Sequence, residues 1–352
     1  MEANVRQFSS DKILKHLDRV DEWIKGKNVA PITLELDMTN LCDHRCPECS
    51  GYYSQERGAA SLPWHLTSKI IKQLAKEGVR GIIFTGGGEP LCHPQIKQAV
   101  ELAHRLGLDI GFITNGTAIN KEIAQVLLKC CVWLRVSLDA ASKRIFKKVH
   151  GLDGDSFEKV IENIKLLVQT KKKMRSKTTV GVGYLTSDYT KSEMFVMTKL
   201  CKNLGVDYLQ FRPMQIHKDG KFIYHRSDIS KEIAQCLIES TDTYKVLYSK
   251  HKYDMMRESN YGRNYNKCYG QQFATVIAAD AKVYVCCHMR GFKKYCLGDL
   301  RKNSFSEIWD SKRREQVVRN IDFRDCIPLC RDNTFNQILW NIKQPKEHVN
   351  FL

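Results

Sequence analysis

The chain has 352 residues, 43% of them hydrophobic and 27% charged, with a formal net charge of +17 and 14 cysteines. That is enough apolar material for one large domain and a smaller one. No run is long and uncharged enough to span a membrane, and the start "MEANVRQFSSDKILKHLDRV" has no signal-peptide core, so a cytoplasmic location is expected. In a reducing compartment clustered cysteines bind metal or do chemistry rather than form a disulfide framework. The positive charge is dispersed and suits either nucleic acid or an anionic substrate, without choosing between them.

After an N-terminal extension (1–31) that reads as a helix over "SDKILKHLDRVDEWIKG", β-like runs alternate with helical patterns. The strands are "ITLELDMT", "GIIFTGGG", "DIGFITNG", "WLRVSLDA", "TTVGVGYLTS" and "VDYLQFRPM"; helices follow at 63–78, 93–107, 120–130, 156–170 and 192–205. Six βα-like units with apolar strands predict a parallel sheet with crossover helices, closed as a barrel or part-barrel, over residues 32–220. Catalytic groups should gather at the C-terminal strand ends. "KKKMRSK" (171–177) reads as a solvated turn, and 227–253 as one long helix within a connector (221–264). The remainder, 265–352, reads as a small cysteine-rich domain with short strands and a helix over 305–320; its core looks too thin without a metal. Cys92, Cys130, Cys131, Cys201 and Cys236 lie in or beside apolar helical patterns and read as packing residues.

Directly after the first strand, "TNLCDHRCPECSGY" places Cys42, Cys46 and Cys49 within eight positions. A closed zinc site needs four ligands, and His44, between two ligands of one tight loop, is poorly placed to complete it. Three thiolates suit a [4Fe–4S] cluster with one iron left open. The second strand ends in "TGGGEP" (85–90), where consecutive glycines let backbone approach a ligand, or simply make a tight exit before Pro90.

Cys42-x-x-x-Cys46-x-x-Cys49 after strand one and Gly86-Gly87-Gly88-Glu89-Pro90 after strand two resemble the radical S-adenosylmethionine (radical SAM) superfamily, over about residues 32–214. The resemblance implies a partial (β/α)6 TIM-like barrel. It also implies that S-adenosylmethionine chelates the open iron and is cleaved on reduction to a 5′-deoxyadenosyl radical that abstracts hydrogen from substrate. By the same resemblance Gly86, Gly87, Gly88 and Glu89 border the methionine amino group. "ITNG" looks like the family's strand-four end, placing Asn115 near the cofactor. "RVSLDA" looks like its strand-five end, where Ser137 and Asp139 face the methionine carboxylate or the ribose; Asp139 is otherwise a cap for a helix starting near Ser142. His150-Gly151 resembles a segment of many relatives without an assigned role. The position before the third cysteine, usually aromatic and next to adenine, is Glu48, for which Tyr52 or Tyr53 compensates. Arg212, on the last strand, is a candidate for substrate anions or the cofactor carboxylate, with a structural salt bridge as the bland reading.

Cys268, Cys286, Cys287, Cys296, Cys326 and Cys330 resemble the SPASM/Twitch auxiliary-cluster extension of radical enzymes. The best match to its ligand set is Cys268, Cys286, Cys326 and Cys330, for one auxiliary [4Fe–4S] cluster; the usual hairpin-turn glycine is Ala281. Cys287 and Cys296 are then spare: packing residues, or hydrogen-atom donors to a substrate radical. With only about thirty residues before strand one, no leader-binding domain is expected. The reading is therefore net oxidation of a polar sugar- or cyclitol-like small molecule, possible anions included, with the electron passing to the auxiliary cluster. A reductant such as flavodoxin or ferredoxin is implied as partner. The alternatives are a radical epimerase or peptide maturase and, remotely, a non-enzymatic metal- or nucleic-acid-binding protein.

Overall fold

The computed structural model describes residues 10–49, 51, 58, 60–218, 221–224, 228–258, 261–345, 347, 348 and 350. A 3₁₀ turn (Ser10–Lys15) leads into α1 (Leu17–Ile24), and then strand and helix alternate. These are β1 (Thr33–Asp37), α2 (Trp64–Lys76), β2 (Gly81–Thr85), α3 (Ile96–Arg105), β3 (Asp109–Thr114), α4 (Lys121–Cys130) and β4 (Trp133–Ser137). Two helices follow, α5 (Lys143–His150) and α6 (Gly154–Met174), then β5 (Thr179–Thr186), α7 (Met194–Leu204) and β6 (Tyr208–Pro213). A hairpin of β7 (Gln215–Lys218) and β8 (Lys221–Tyr224) precedes α8 (Ser230–Leu237), β9 (Lys245–Tyr248) and α9 (Lys250–Arg257). The chain finishes with β10 (Ala274–Ile277), β11 (Lys282–Tyr284), β12 (Cys296–Asp299), α10 (Phe305–Trp309), α11 (Lys312–Arg319) and α12 (Asn333–Lys343).

Local sequence explains most boundaries. In α2 the buried residues Leu66, Ile70, Ile71 and Leu74 recur at helical spacing. Asn120 caps α4 by accepting the Ile123 N–H, and Ser142 caps α5 by accepting that of Ile145.

Strands β1 to β6 lie side by side in chain order, all parallel, with no reversal of the kind that marks a doubly wound sheet. This is the wall of a partial (β/α)6 barrel. It is extended beyond β6 by β9 and beyond β1 by β10, both parallel, and β11 and β12 then add antiparallel. The small C-terminal strands therefore continue the main sheet. One face of the wall carries Leu34, Leu36, Ile82, Phe84, Ile110, Phe112, Leu134 and Val136 into a single core with the helices. The other face carries Glu35, Asp37, Arg135, Ser137, Gln210 and Arg212 at alternate positions. Trp133 and Tyr208 lie across Gly111 and Gly181, where a Cβ would come within 2.3 and 2.1 Å of the rings. A second core joins the two ends of the chain, with Val20 and Trp23 of α1 meeting Phe273 and Leu339.

Several elements differ from expectation. Residues 227–253 are not one helix: "KVLY" pairs with β6 as β9, since a β-branched and aromatic run after a "STDT" turn gains more from the open sheet edge than from a helix. "KKKM" is the last turn of α6, where cations complement the helix C-terminus, so it is not a turn. The 305–320 helix is broken at Asp310-Ser311 because Ser311 caps a new helix. "ITNG" and "RVSLDA" close the third and fourth strands, not the fourth and fifth. The hairpin residue Ala281 takes the glycine's left-handed conformation, φ 61°, while buried.

Candidate active site

The loop after β1 carries the three thiols, half-buried, with Cys42 and Cys49 close enough to oppose each other's ionisation. Burial pushes the Cys42 thiol up to about 12, against the His44 N–H, which donates to its sulfur at 3.4 Å. The bare Cys42 thiol is therefore neutral, and a cationic cluster would displace its proton. Three convergent thiols, N–H donors to two of the sulfurs, and a glycine loop pressed on the backbone beside them fit a cluster with an open iron. At Gly88 a Cβ would stand 2.2 Å from Leu41 O, so only glycine lets the "GGG" loop lie on the cysteine loop. Gly87 donates to the buried Asp37, and Gly51 packs against Gly86 and Gly87.

Glu89 joins these loops to the end of β3. Its carboxylate accepts from Thr114 Oγ1 at 2.6 Å, the Asn115 N–H at 2.7 Å and the Leu91 N–H at 3.1 Å, and burial pushes its pKa up to about 7. Asn115 Nδ2 donates to Asp43 of the cysteine loop at 2.6 Å. Ser137 is half-buried on the inner face of β4. Asp139 does not cap α5, since Ser142 does so itself; its Oδ1 instead accepts the Leu185 N–H at 2.6 Å and ties β4 to β5. Burial raises its pKa to about 6. Beside Glu48 stands an aromatic residue after all: the Tyr189 hydroxyl donates to Glu48, and Lys148 Nζ lies 4.1 Å from the ring centre. Tyr52 and Tyr53 lie outside the described residues.

His150-Gly151 finds its place here. Gly151 ends α5 with φ +66°, and a Cβ on it would lie 2.4 Å from Arg45 O; the Arg45 N–H donates to His150 O. Burial, with His44 adjacent, holds the His150 ring neutral, with a pKa of about 3. The Asp139 N–H donates to His150 Nε2 at 3.3 Å, so the ring proton is on Nδ1. That proton faces His44 Nδ1 at 3.3 Å and Cys46 Sγ at 3.6 Å. His44, buried, then carries its own proton on Nε2 and donates to Thr117 Oγ1 at 2.7 Å. His44, Cys46 and His150 thus offer ligand atoms within 4.8 Å of one another, a grouping that the loop spacing alone hides. Hydrogen bonds to cluster sulfur favour the reduced, more negative state. His150→Phe should therefore move the midpoint potential of the cluster on this loop to more negative values by a few tens of mV, where about 59 mV is tenfold for one electron. Redox titration followed by electron paramagnetic resonance reads this; an unchanged potential with the cluster fully assembled would count against the bond.

In the C-terminal region the structure brings Cys268, Cys286, Cys326 and Cys330 together. Each is pushed up first by burial, and each is raised further by other cysteines of the set or by nearby acids. Such a crowd of half-buried cysteines suits a cationic cluster. Cys287 diverges from its neighbour toward Arg331 and Glu35, while Cys296 packs with Val276, Ala278 and Tyr284. Glu35, on β1, accepts from Arg290 at 2.8 Å and from Arg331 at 2.5 Å; Arg290 also meets Asp37 at 2.7 Å. This network, buried at Glu35, Asp37 and Arg290 and partly exposed at Arg331, couples the cysteine-rich region to the strand that presents the first cluster loop.

Two family models match the chain: "Radical SAM superfamily" over residues 36–192 and "Iron-sulfur cluster-binding domain", the SPASM model, over 268–332. The chain belongs to the radical SAM superfamily and carries a SPASM-type domain. It binds a [4Fe–4S] cluster with S-adenosylmethionine, and auxiliary iron–sulfur at its C-terminal region. It is similar to the AdoMet-dependent heme synthase of Methanosarcina barkeri, 24% identical over 317 residues, 83% of this chain and 85% of the relative. A protein of Saccharolobus islandicus described as "Probable GTP 3',8-cyclase" is 26% identical over 62% of this chain and 68% of its own. Among solved structures, Streptococcus suis SuiB bound to precursor peptide SuiA superimposes with a TM-score of 0.66 at 13% identity, covering 88% of this chain and 72% of SuiB. Native anSMEcpe with bound AdoMet gives 0.62 at 17% identity, covering 89% and 99%. At such identities the two structures speak for the fold. Among the described residues no helix is long and apolar enough to cross a membrane.

Proposed function

We propose that this radical SAM enzyme is an oxidoreductase acting on a polar small molecule of the sugar or cyclitol kind, with one auxiliary cluster on Cys268, Cys286, Cys326 and Cys330. The observation that carries this reading is the convergence of four half-buried cysteines, which can close a cluster, in a chain whose other cysteine loop offers three, which cannot. When bound, the open-site cluster with S-adenosylmethionine supplies hydrogen-atom abstraction and the closed cluster an electron acceptor. Loss of a hydrogen atom, an electron and a proton leaves the substrate oxidised by two electrons. Cys42, Cys46 and Cys49 hold the first group, Gly86, Gly87, Gly88, Glu89, Asn115, Ser137 and Asp139 border its cofactor, and a flavodoxin- or ferredoxin-like reductant delivers the electron. The relatives aligned along the sequence are named for heme and GTP chemistry, which supports a non-peptide substrate. An epimerase reading would lean on Cys287, since Cys296 packs in a small apolar cluster.

The test is anaerobic reconstitution with a chemical reductant and a cell metabolite extract. Cys42→Ala should abolish 5′-deoxyadenosine formation. Cys326→Ala should still form 5′-deoxyadenosine but lose a product two hydrogens lighter than its precursor. An isomeric product from the wild-type enzyme would overturn the oxidative reading in favour of epimerisation.

A further inference from the structure

We propose that Arg135, Arg212 and Lys252 form a binding site for the anionic end of the substrate, a phosphate or carboxylate group. The inference rests on the reading of the barrel interior as the place of reaction and names the substrate class. The three cations come from three elements, β4, β6 and α9. Arg135 and Lys252 are more than nine-tenths buried, and Arg212 is half-buried. Among the described residues none of the three forms an ion pair, and the only side-chain bond is from Arg135 Nη1 to Gln210 Oε1, at a long 3.4 Å. Arg135 Nε and Arg212 Nε are buried without a partner.

The two guanidinium groups meet over Gly183. A Cβ there would lie 3.1 Å from Arg135 Cδ and 3.3 Å from Arg212 Nη2, so the missing side chain leaves them room. Nearby carboxylates do not fully neutralise the group: Asp332 acts on Lys252 but also meets Arg331 at 3.6 Å. Glu35 is spent on Arg290 and Arg331, and Asp139, the acid whose charge acts on both arginines, is engaged with the Leu185 N–H. Lys252, buried on α9, brings a third cation close to Arg212. Three cations face two carboxylates, Asp139 beside the arginines and Asp332 beside Lys252, which leaves the group with a net positive charge. Buried cations persist where an anion compensates them, and paired guanidinium groups suit phosphate or carboxylate oxygens.

Isothermal titration of the reconstituted full chain, without reductant, tests this with inorganic pyrophosphate, succinate and S-adenosylmethionine. One of the two anions should bind the wild type, weaken with salt, and bind at least about tenfold more weakly to Arg212→Met. The affinity for S-adenosylmethionine should be unchanged. The ligand-free Arg212→Met and Arg135→Met proteins should be at least as stable as the wild type, because each buries one unpaired charge fewer. Failure of both anions to bind the wild type, or equal binding to the variants, overturns the proposal. So does a loss of S-adenosylmethionine affinity instead, which would assign the arginines to the cofactor carboxylate, or a fall in ligand-free stability, which would make them structural. A wild type that binds anion but forms no 5′-deoxyadenosine on reduction would count against the proposed reaction and leave the site standing.

Discussion

Gly88→Ala is expected to abolish assembly of the cluster on the Cys42–Cys46–Cys49 loop and with it S-adenosylmethionine cleavage. The added Cβ would meet Leu41 O at 2.2 Å, Asn40 C at 2.6 Å and Thr39 O at 2.7 Å, all backbone atoms with no flexible end to swing aside. The contact is also clamped, because the Glu89 N–H donates to Leu41 O at 2.8 Å and the Asn40 N–H to Ala60 O at 2.8 Å. One loop must move by about an ångström, and misplacement on that scale costs on the order of 100-fold in a positioned reaction. Iron after anaerobic reconstitution should fall from about eight to about four per chain, the auxiliary four remaining. Gly86→Ala is the control: its nearest contacts are 3.3 Å to Gly88 O and 3.4 Å to Asp37 Cβ, so a smaller loss is expected. A Gly88→Ala protein with full iron and wild-type 5′-deoxyadenosine yield would show that the two loops are not locked together.

Glu35→Gln is expected to be the most destabilising isosteric change in the barrel. Burial alone would raise the carboxyl, but Arg331 and Arg290 more than offset it and hold the pKa at about 2. Removing that charge leaves Arg331 without its strong partner and Arg290 with Asp37 alone. Breaking a buried ion network costs about 3–5 kcal/mol, and because the Arg331 side chain is 40% exposed and can be solvated, a loss of about 2–3 kcal/mol is expected, readable as a lower midpoint in chemical denaturation. The sign with pH follows: the folded pKa lies below the ordinary value of 4.5, so Glu35 stabilises above pH 4.5 and its contribution is lost as pH falls toward 2. The variant should lack that acid-side loss. Because Arg331 follows Cys330, weaker retention of the auxiliary iron should accompany the lower midpoint. A midpoint equal to the wild type's would mean that the network does not hold the cysteine-rich region to β1.

Much of the barrel was legible because its signals are local. Apolar runs of strand length, helices with buried residues at 3.6-residue spacing, and Ser or Asn at their starts repeat through residues 32–214. What misled was context. The run 245–248 sits in a polar, helix-rich stretch, and only the unpaired edge of β6 makes it a strand. The charged residues inside the strands, Glu35, Asp37, Arg135 and Arg212, were visible at alternate positions, yet nothing local says which face of the sheet is the interior.

By itself the sequence determined the chemistry of the ligands: three thiols closely spaced on one loop, six more cysteines late in the chain, and glycines where backbone must meet backbone. These are matters of residue type and spacing, set before folding. The tertiary structure alone decided which thiols share a site, which of Cys286 and Cys287 turns toward the set, and that His150 aims a proton at Cys46 from 104 positions away. It also decided that Tyr189 stands beside Glu48 from 141 positions away. Such contacts depend on how separate strand ends converge at one rim of the barrel, and burial fixes their protonation and partners only once water has been excluded.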